Sequence, residues 1–127
     1  MTRRPMPPRR ATWTQKATVG GLKLYLSCGE YEDGTLGELF LNTDVNMTDD
    51  NLRAMLSNFA IAVSLGLQHG VPLRSFVDKF AGTRFGPGGV VQGSERIKLS
   101  GSVLDWVFRE LALRYLGMDE VANVEPL

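Results

Sequence analysis

Side chains that carry redox or metal chemistry are scarce in this sequence. Its 127 residues include one cysteine, Cys28, and one histidine, His69. A single thiol cannot close a disulfide within the chain, and no Cys/His group has the spacing of zinc ligands. We therefore expect no metal site, and the composition suits a reducing compartment, the cytoplasm.

Long apolar stretches are missing too. The longest uninterrupted run, residues 59–63, is far shorter than the roughly 20 residues that span a bilayer. The Arg-rich N-terminus has no acid before Glu30, as in a transit peptide, but Pro5, Pro7 and Pro8 would break an amphipathic helix. These features predict a cytoplasmic protein without a membrane segment.

Positive and negative charges balance over the chain but are unevenly placed. Residues 1–16 carry only basic charges, which leaves 9 basic against 14 acidic side chains in the remainder. Residues 1–11 are interpreted either as a solvated Arg/Pro-rich linker or as a nucleic-acid-binding arm that contacts phosphates through Arg3, Arg4, Arg9 and Arg10. No aromatic side chain is interleaved with these arginines to stack on bases, so the linker is the favoured interpretation.

The apolar residues between Thr12 and about Thr43 recur with a period of two, which is typical of half-buried strands. Strands are predicted at residues 14–19, 22–27 and 36–41. Gly20-Gly21 and Asp33-Gly34 supply the turns between them. The pattern predicts a three-stranded antiparallel meander.

Beyond residue 44 the apolar period becomes that of a helix. A first helix is predicted from an N-cap at Thr48 or Asp49 to a stop at Gly70. A second, shorter helix is predicted to begin at Pro72. His69 lies in the last turn of the first helix, where the helix dipole favours a cation, so we expect it to cap the helix rather than to catalyse a reaction.

A third helix is predicted from a Ser94 cap to a stop at Gly117. Its apolar residues cover two faces, and the second face must be buried in the chain or meet a partner, such as a second copy; this partner face consists of Val103, Trp106 and Leu113. The predicted fold class is α+β, with a three-stranded antiparallel sheet followed by three helices packed on one face. The domain would span residues 12–116, before an acidic tail at 117–127.

A glycine-rich segment, TRFGPGGVVQG at residues 83–93, precedes the third helix. It lacks the lysine and the Ser/Thr at the fixed spacing of a P-loop and follows a helix instead of a strand, so we expect a connector whose glycines allow close backbone approach. Arg84 and Arg109 are the candidate binding residues, because an arginine among apolar residues needs a carboxylate or phosphate partner. For both arginines the alternative is an internal salt bridge, for instance between Arg109 and Asp105, four residues earlier. Asp105 and Glu110 diverge by about 140° on a helix, so no catalytic carboxylate pair is predicted.

Six blocks of sequence resemble a known family: GEYEDG at 29–34, LGELFL at 36–41, AIAVSLGLQHGVPL at 60–73, FVDKF at 76–80, TRF at 83–85 and SVLDWVFRELA at 102–112. Together they resemble the TSCPD domain, in the form found in the C-terminal region of adenosylcobalamin-dependent (class II) ribonucleotide reductases. The resemblance covers about four fifths of the chain.

The resemblance implies a role in deoxyribonucleotide synthesis and a reductase catalytic subunit or barrel domain as partner. Class II enzymes use several cysteines, and one thiol cannot perform their redox cycle. We therefore expect a non-catalytic accessory domain that binds protein or nucleotide, with no cofactor of its own and with adenosylcobalamin in the related full-length enzyme. The alternative function is a small nucleic-acid-binding protein that uses the basic arm.

Overall fold

The computed structural model describes residues 2–44 and 49–124. Strands dominate the first third of the chain, and helices dominate the remainder. In chain order the elements are β1 (Ala11–Val19), β2 (Leu22–Glu30), β3 (Leu36–Thr43), α1 (Asp50–Gln68), α2 (Leu73–Phe80), β4 (Gly89–Gln92), β5 (Leu99–Ser100), α3 (Val103–Leu116) and a short 3-10 helix (Asp119–Val121).

The strands form one sheet in the order β3-β2-β1-β4-β5. The α+β class and the three helices are confirmed, but the prediction of three strands is wrong because the sheet has five. β4 lies inside the glycine-rich segment and pairs antiparallel with β1, and β5 pairs antiparallel with β4. Strands of 4 and 2 residues are too short to display a period of two, so the sequence pattern did not reveal them.

The chain divides into two compact units. The first comprises Met1–Gln15 and Leu24–Leu73, and the second comprises Lys16–Lys23 and Arg74–Leu127. Strands β1 and β2 each contribute residues to both units. Each unit has buried apolar side chains of its own.

In the first unit, α1 packs on β3. Alternation along β2 buries Leu24 and Leu26 completely, as the period of two predicted. The hydroxyl of the buried Ser64 on α1 accepts a hydrogen bond from the Leu39 N–H of β3 at 2.9 Å and lies 2.8 Å from the Ala60 carbonyl oxygen. Helix and strand are therefore joined by a polar contact inside an apolar interface.

The ends of α1 follow the capping signals of the sequence. The Asp49 carboxylate accepts a hydrogen bond from the Asn51 N–H at 2.7 Å, which makes Asp49 the N-cap. Thr48, the other predicted cap, lies outside the described residues. Gly70 follows the helix with a φ of 94°, a conformation that glycine adopts without steric cost. The capping prediction is confirmed at both ends.

In the second unit, the predicted start of the third helix at Ser94 is wrong. The N-cap is Ser102, whose hydroxyl accepts a hydrogen bond from the Asp105 N–H at 3.0 Å. The stretch between Ser94 and Ser102 contains β5 instead of helical turns. The predicted stop is confirmed, since Gly117 has a left-handed φ of 61°.

Helix α3 supplies half of the buried apolar residues described in the second unit. Trp106, Phe108 and Val103 have no exposed surface, and the rings of Phe108 and Phe80 lie 5.6 Å apart. Leu113 is half-buried. Both apolar faces of α3 are thus largely covered within the chain, and the predicted partner face offers a partner no surface at Val103 or Trp106.

Candidate functional site

A cleft of about 540 Å³ opens in the second unit. Its lining comes from the glycine-rich segment, from β5 and the turn after it, and from the first two turns of α3. Both predicted binding residues, Arg84 and Arg109, lie on this lining together with Asp105. The fold therefore brings the two arginines to one cleft, and ligand binding by them stays a prediction.

Asp105 organises the floor of the cleft although it is only 3% exposed. Its carboxylate accepts hydrogen bonds from the Gly101 N–H at 2.8 Å, the Ser100 hydroxyl at 3.1 Å and the Arg109 Nε at 2.6 Å. The Gly82 N–H donates a fourth hydrogen bond to it. A carboxylate offers about four lone-pair sites, so the chain itself occupies the acceptor capacity of Asp105.

The charge state of Asp105 results from two opposed effects. Burial acts to raise its pKa, because it removes water from the charged form. The hydrogen bonds from the Gly101 N–H, the Arg109 guanidinium and the Gly82 N–H act in the other direction and outweigh burial. The pKa of Asp105 therefore lies below its ordinary value, and the group is ionised at neutral pH.

The two cleft arginines differ in what holds them. Arg109 forms the predicted internal salt bridge with Asp105 at 2.6 Å and donates from Nη1 to the Val121 carbonyl oxygen at 2.8 Å. That alternative is confirmed for Arg109, whose guanidinium is fixed by the chain. Arg84 is exposed, and no residue within 2–44 or 49–124 forms an ion pair or hydrogen bond with its guanidinium.

The glycines of the glycine-rich segment differ in how closely other atoms surround them. A Cβ on Gly88 would lie 2.5 Å from the Gly101 carbonyl oxygen, and one on Gly20 would lie 2.5 Å from the Gly88 carbonyl oxygen. These glycines therefore let three backbone segments pack closely, as expected for a connector. Gly86 is different, because an added Cβ there would meet no heavy atom within 4 Å.

In the first unit, the basic arm is held by the chain's own acceptors. Arg10 donates from Nε to the Glu38 carboxylate at 2.5 Å and from Nη1 to the Pro7 carbonyl oxygen at 2.7 Å. Arg3 donates from Nε to the Gln68 side-chain oxygen at 2.8 Å. These bonds tie the arm to β3 and to the last turn of α1.

Arg4 adds a third attachment. Its backbone N–H donates a hydrogen bond to the Gln68 carbonyl oxygen at 2.7 Å. Its guanidinium lies 3.8 Å from the centre of the Tyr31 ring, and its backbone carbonyl oxygen accepts a hydrogen bond from the Tyr31 hydroxyl. Of the four arginines proposed for nucleic-acid contact, Arg9 alone has no ion pair or hydrogen bond among the described residues. The internal pairing weighs against the nucleic-acid alternative, because DNA would have to displace these partners.

The structure locates the remaining chemistry-bearing residues. His69 is the C-cap of α1, the capping position predicted for it. Cys28 on β2 is 1% exposed. Within the described part of the chain, no group of three or more His, Cys, Asp or Glu side chains is placed to hold a metal ion. No described helix combines the length and apolarity needed to cross a membrane.

Comparison with known families decides the identity of the domain. The family model of the TSCPD domain matches residues 1–115. The chain belongs to the TSCPD domain family. The resemblance inferred from the six sequence blocks is confirmed, and the match takes in the basic arm as well as α3.

The TSCPD chain is similar to segments of much longer proteins. It is 55% identical over 124 residues to a vitamin B12-dependent ribonucleotide reductase of Bradyrhizobium diazoefficiens, a match that takes in 98% of this chain and 10% of the relative. The corresponding enzyme of Agrobacterium fabrum is 53% identical over 97% of the chain and 10% of the relative. That of Streptantibioticus cattleyicolor is 40% identical over 90% of the chain and 18% of the relative. No solved structure matches the chain.

Two residues that organise this TSCPD domain, Glu38 and Gln68, were not singled out from the sequence; both are buried and hold the arm. Asp105 was named as a partner of Arg109, but its hydrogen bonds from the Gly82 and Gly101 N–H groups were not predicted. Glu38 lies in the apolar strand β3 between Gly37 and Leu39, and Gln68 follows a long uncharged stretch of α1. A polar residue within an apolar run was the available signal, since such a residue is buried only with a partner.

Proposed function

We propose that this chain is a non-catalytic accessory domain of an adenosylcobalamin-dependent ribonucleotide reductase. It would support deoxyribonucleotide synthesis in the cytoplasm by binding the catalytic region of the enzyme or a nucleotide. One observation carries the proposal: nearly the whole chain aligns with about a tenth of vitamin B12-dependent ribonucleotide reductases. A segment of this length is typical of one domain, so the remaining length of such an enzyme is available for the catalytic site.

The thiol inventory supports a non-catalytic role. Removing a hydroxyl from a ribose consumes two electrons, which a pair of thiols supplies when it becomes a disulfide. Cys28 is the single cysteine of the chain and is buried in β2. A dithiol within this chain is therefore impossible, and we assign both the reducing thiols and adenosylcobalamin to the catalytic region.

The first experiment tests the absence of catalysis. The purified chain is incubated with a ribonucleoside diphosphate, adenosylcobalamin and an external dithiol, and deoxyribonucleotide is measured by chromatography. We expect no product above a reaction without protein. Turnover that scales with the concentration of the chain would refute the non-catalytic assignment.

The second experiment tests the partnership. The tagged chain is mixed with the catalytic region of a vitamin B12-dependent reductase from which the matching segment has been removed, and retention on the affinity resin is measured. We expect retention, and we expect the chain to raise the activity of the truncated enzyme. Failure of both effects would count against an accessory role.

A further inference from the structure

The lining of the cleft in the second unit carries two basic side chains, Arg84 and Arg109, and one acidic side chain, Asp105. The Asp105 carboxylate, the acidic group on the lining, already accepts four hydrogen bonds from the chain. Its charge offsets that of Arg109, which leaves the charge of Arg84 without an opposing group on the lining. An anion entering the cleft would therefore meet one uncompensated positive charge.

Backbone and amide donors add to this excess. The N–H groups of Gly86 and Gly88 have no acceptor among the residues that the structure describes. The side-chain oxygen of Asn123 accepts from the N–H groups of Lys98 at 2.6 Å and of Leu99 at 2.9 Å. This fixes the amide and leaves its Nδ2 donors available. Glycine N–H groups beside an arginine are a common arrangement for binding phosphate oxygens.

The cleft also has an apolar part. Leu99 on its lining is 60% exposed, and Phe85 beside Arg84 is half-buried. The volume of about 540 Å³ falls within the range of roughly 300–1,000 Å³ for small-molecule sites. A ligand that joins a phosphate to a flat ring would use both parts, with the ring against Phe85 and Leu99 and the phosphate against Arg84.

We propose that this cleft is a nucleotide site in which Arg84 and the glycine N–H groups bind the phosphates. The inference deepens the nucleotide-binding part of the proposed function and rests on it for the choice of a nucleoside diphosphate. Arg109 is a positioning residue, because its Nε and Nη1 are engaged by Asp105 and Val121. The Arg109 Nη1 bond ties α3 to the 3-10 helix, and the salt bridge fixes the Asp105 carboxylate, whose hydrogen bonds from Ser100 and Gly101 hold α3 against the turn after β5.

The test measures binding by titration calorimetry with the intact chain and three probes: ADP, inorganic pyrophosphate and adenosine. We expect ADP to bind more tightly than pyrophosphate, adenosine to bind least, and added salt to weaken ADP binding. Pyrophosphate binding as tight as ADP binding would reduce the site to a plain anion site. An absence of binding by both ADP and pyrophosphate at millimolar concentration would overturn the proposal.

Two variant pairs locate the site. Gly86→Asp places a carboxylate where a side chain has open space, and Gly86→Asn adds a neutral side chain of the same shape. We expect Gly86→Asp and Arg84→Gln each to weaken ADP binding by roughly tenfold or more, since a charged hydrogen bond is involved. Gly86→Asn and Arg74→Gln, which removes an exposed arginine of α2, should change it less than about threefold.

Other outcomes separate this inference from the proposed function. Equal ADP affinity in Gly86→Asp, Arg84→Gln and the unmodified chain would place any nucleotide elsewhere and refute the cleft site. Retention of the catalytic region by a chain that binds no nucleotide would refute the cleft site while leaving the accessory role intact. Nucleotide binding by a chain that does not retain the catalytic region would count against the accessory role while leaving the cleft site intact. Thermal melting of every variant verifies that each one is folded.

Discussion

Replacing Asp105 by asparagine is the sharpest test of how the second unit is held together. The buried carboxylate accepts hydrogen bonds from the N–H groups of Gly82 and Gly101, from the Ser100 hydroxyl and from Arg109. Asparagine keeps one acceptor oxygen and directs an NH2 group at the remaining donors. Roughly half of the hydrogen bonds and the whole charge interaction are lost.

The size of the effect follows from burial. The side chain of Asp105 is 4% exposed, so water cannot replace the lost partners. Two hydrogen bonds to a charged group contribute about 3–6 kcal/mol, and breaking a buried ion pair costs about 3–5 kcal/mol, so we expect a loss of about 3–5 kcal/mol in the free energy of unfolding. At this chain length that corresponds to a fall in Tm of roughly 10–20 °C.

Urea unfolding followed by tryptophan fluorescence measures the loss, because Trp106 is fully buried beside the cluster. The matched control is Asp78→Asn, which breaks another Arg/Asp pair at i and i+4 whose side chains are 59% and 57% exposed. Solvent screening makes that pair weak, so the control should unfold like the unmodified chain. A loss below about 1 kcal/mol for Asp105→Asn would refute the stabilising role assigned to the cluster.

The same carboxylate predicts a dependence of stability on pH. The pKa of Asp105 is lower in the folded chain than the value of about 3.9 expected when unfolded. Its contribution is therefore complete above about pH 4–5 and is lost as the pH falls through the folded pKa. The difference in unfolding free energy between the unmodified chain and Asp105→Asn should shrink over that window, and a constant difference down to pH 2 would contradict the shift.

Three further changes test separate features of the fold. Glu38→Gln removes the charge partner of Arg10, so trypsin should cleave after Arg10 faster than in the unmodified chain, as followed by mass spectrometry. Gly88→Ala brings a Cβ to 2.5 Å from the Gly101 carbonyl oxygen, and we expect a loss of about 1–3 kcal/mol in urea unfolding. Trp106→Phe deletes an indole N–H that has no acceptor among the described residues, so it should cost less than the roughly 3–5 kcal/mol of a large core truncation.

The regular elements of the first half could be predicted because their signals are local. Alternating leucines in β2 and the Asp49 cap of α1 determine structure within a few residues of themselves. β4 and β5 depend instead on pairing between distant segments, such as Val19 with Val91. A strand of two or four residues is too short for an alternation of apolar and polar residues to indicate it, so only the structure reveals β4 and β5.

The misplaced start of α3 has an equally specific cause. Ile97 falls at a helical spacing from the apolar residues of α3 and is fully buried, but it lies in the segment before β5. Ser94, the predicted cap, instead donates its hydroxyl to the Glu110 carboxylate. The helical spacing of Ile97 therefore arises from a buried residue in a non-helical segment. The actual N-cap of α3 is Ser102, eight residues after Ser94.

The site could be predicted only in part. Arg84 and Arg109 stood out as arginines among apolar residues, and the salt bridge to Asp105 follows from helical spacing. The donors from Gly82 and Gly101 reach Asp105 through the tertiary fold, which the sequence does not display. Burial of Glu38 was hidden as well, since it shares a face of β3 with the exposed Phe40 and is covered through its pairing with Arg10.

The position of Cys28 links the fold to the proposed role. Cys28 lies on the same face of β2 as Leu24 and Leu26, opposite Leu39 of β3, and is 1% exposed. A thiol there packs as a small apolar side chain and cannot meet a ribose unless β2 leaves the sheet. The cleft around Arg84, by contrast, has surface donors, among them the Arg84 guanidinium and the Gly86 N–H, that no described residue pairs. The proposed accessory role requires this arrangement, in which donors that could bind an anion or a partner lie at the surface while the thiol lies inside the sheet.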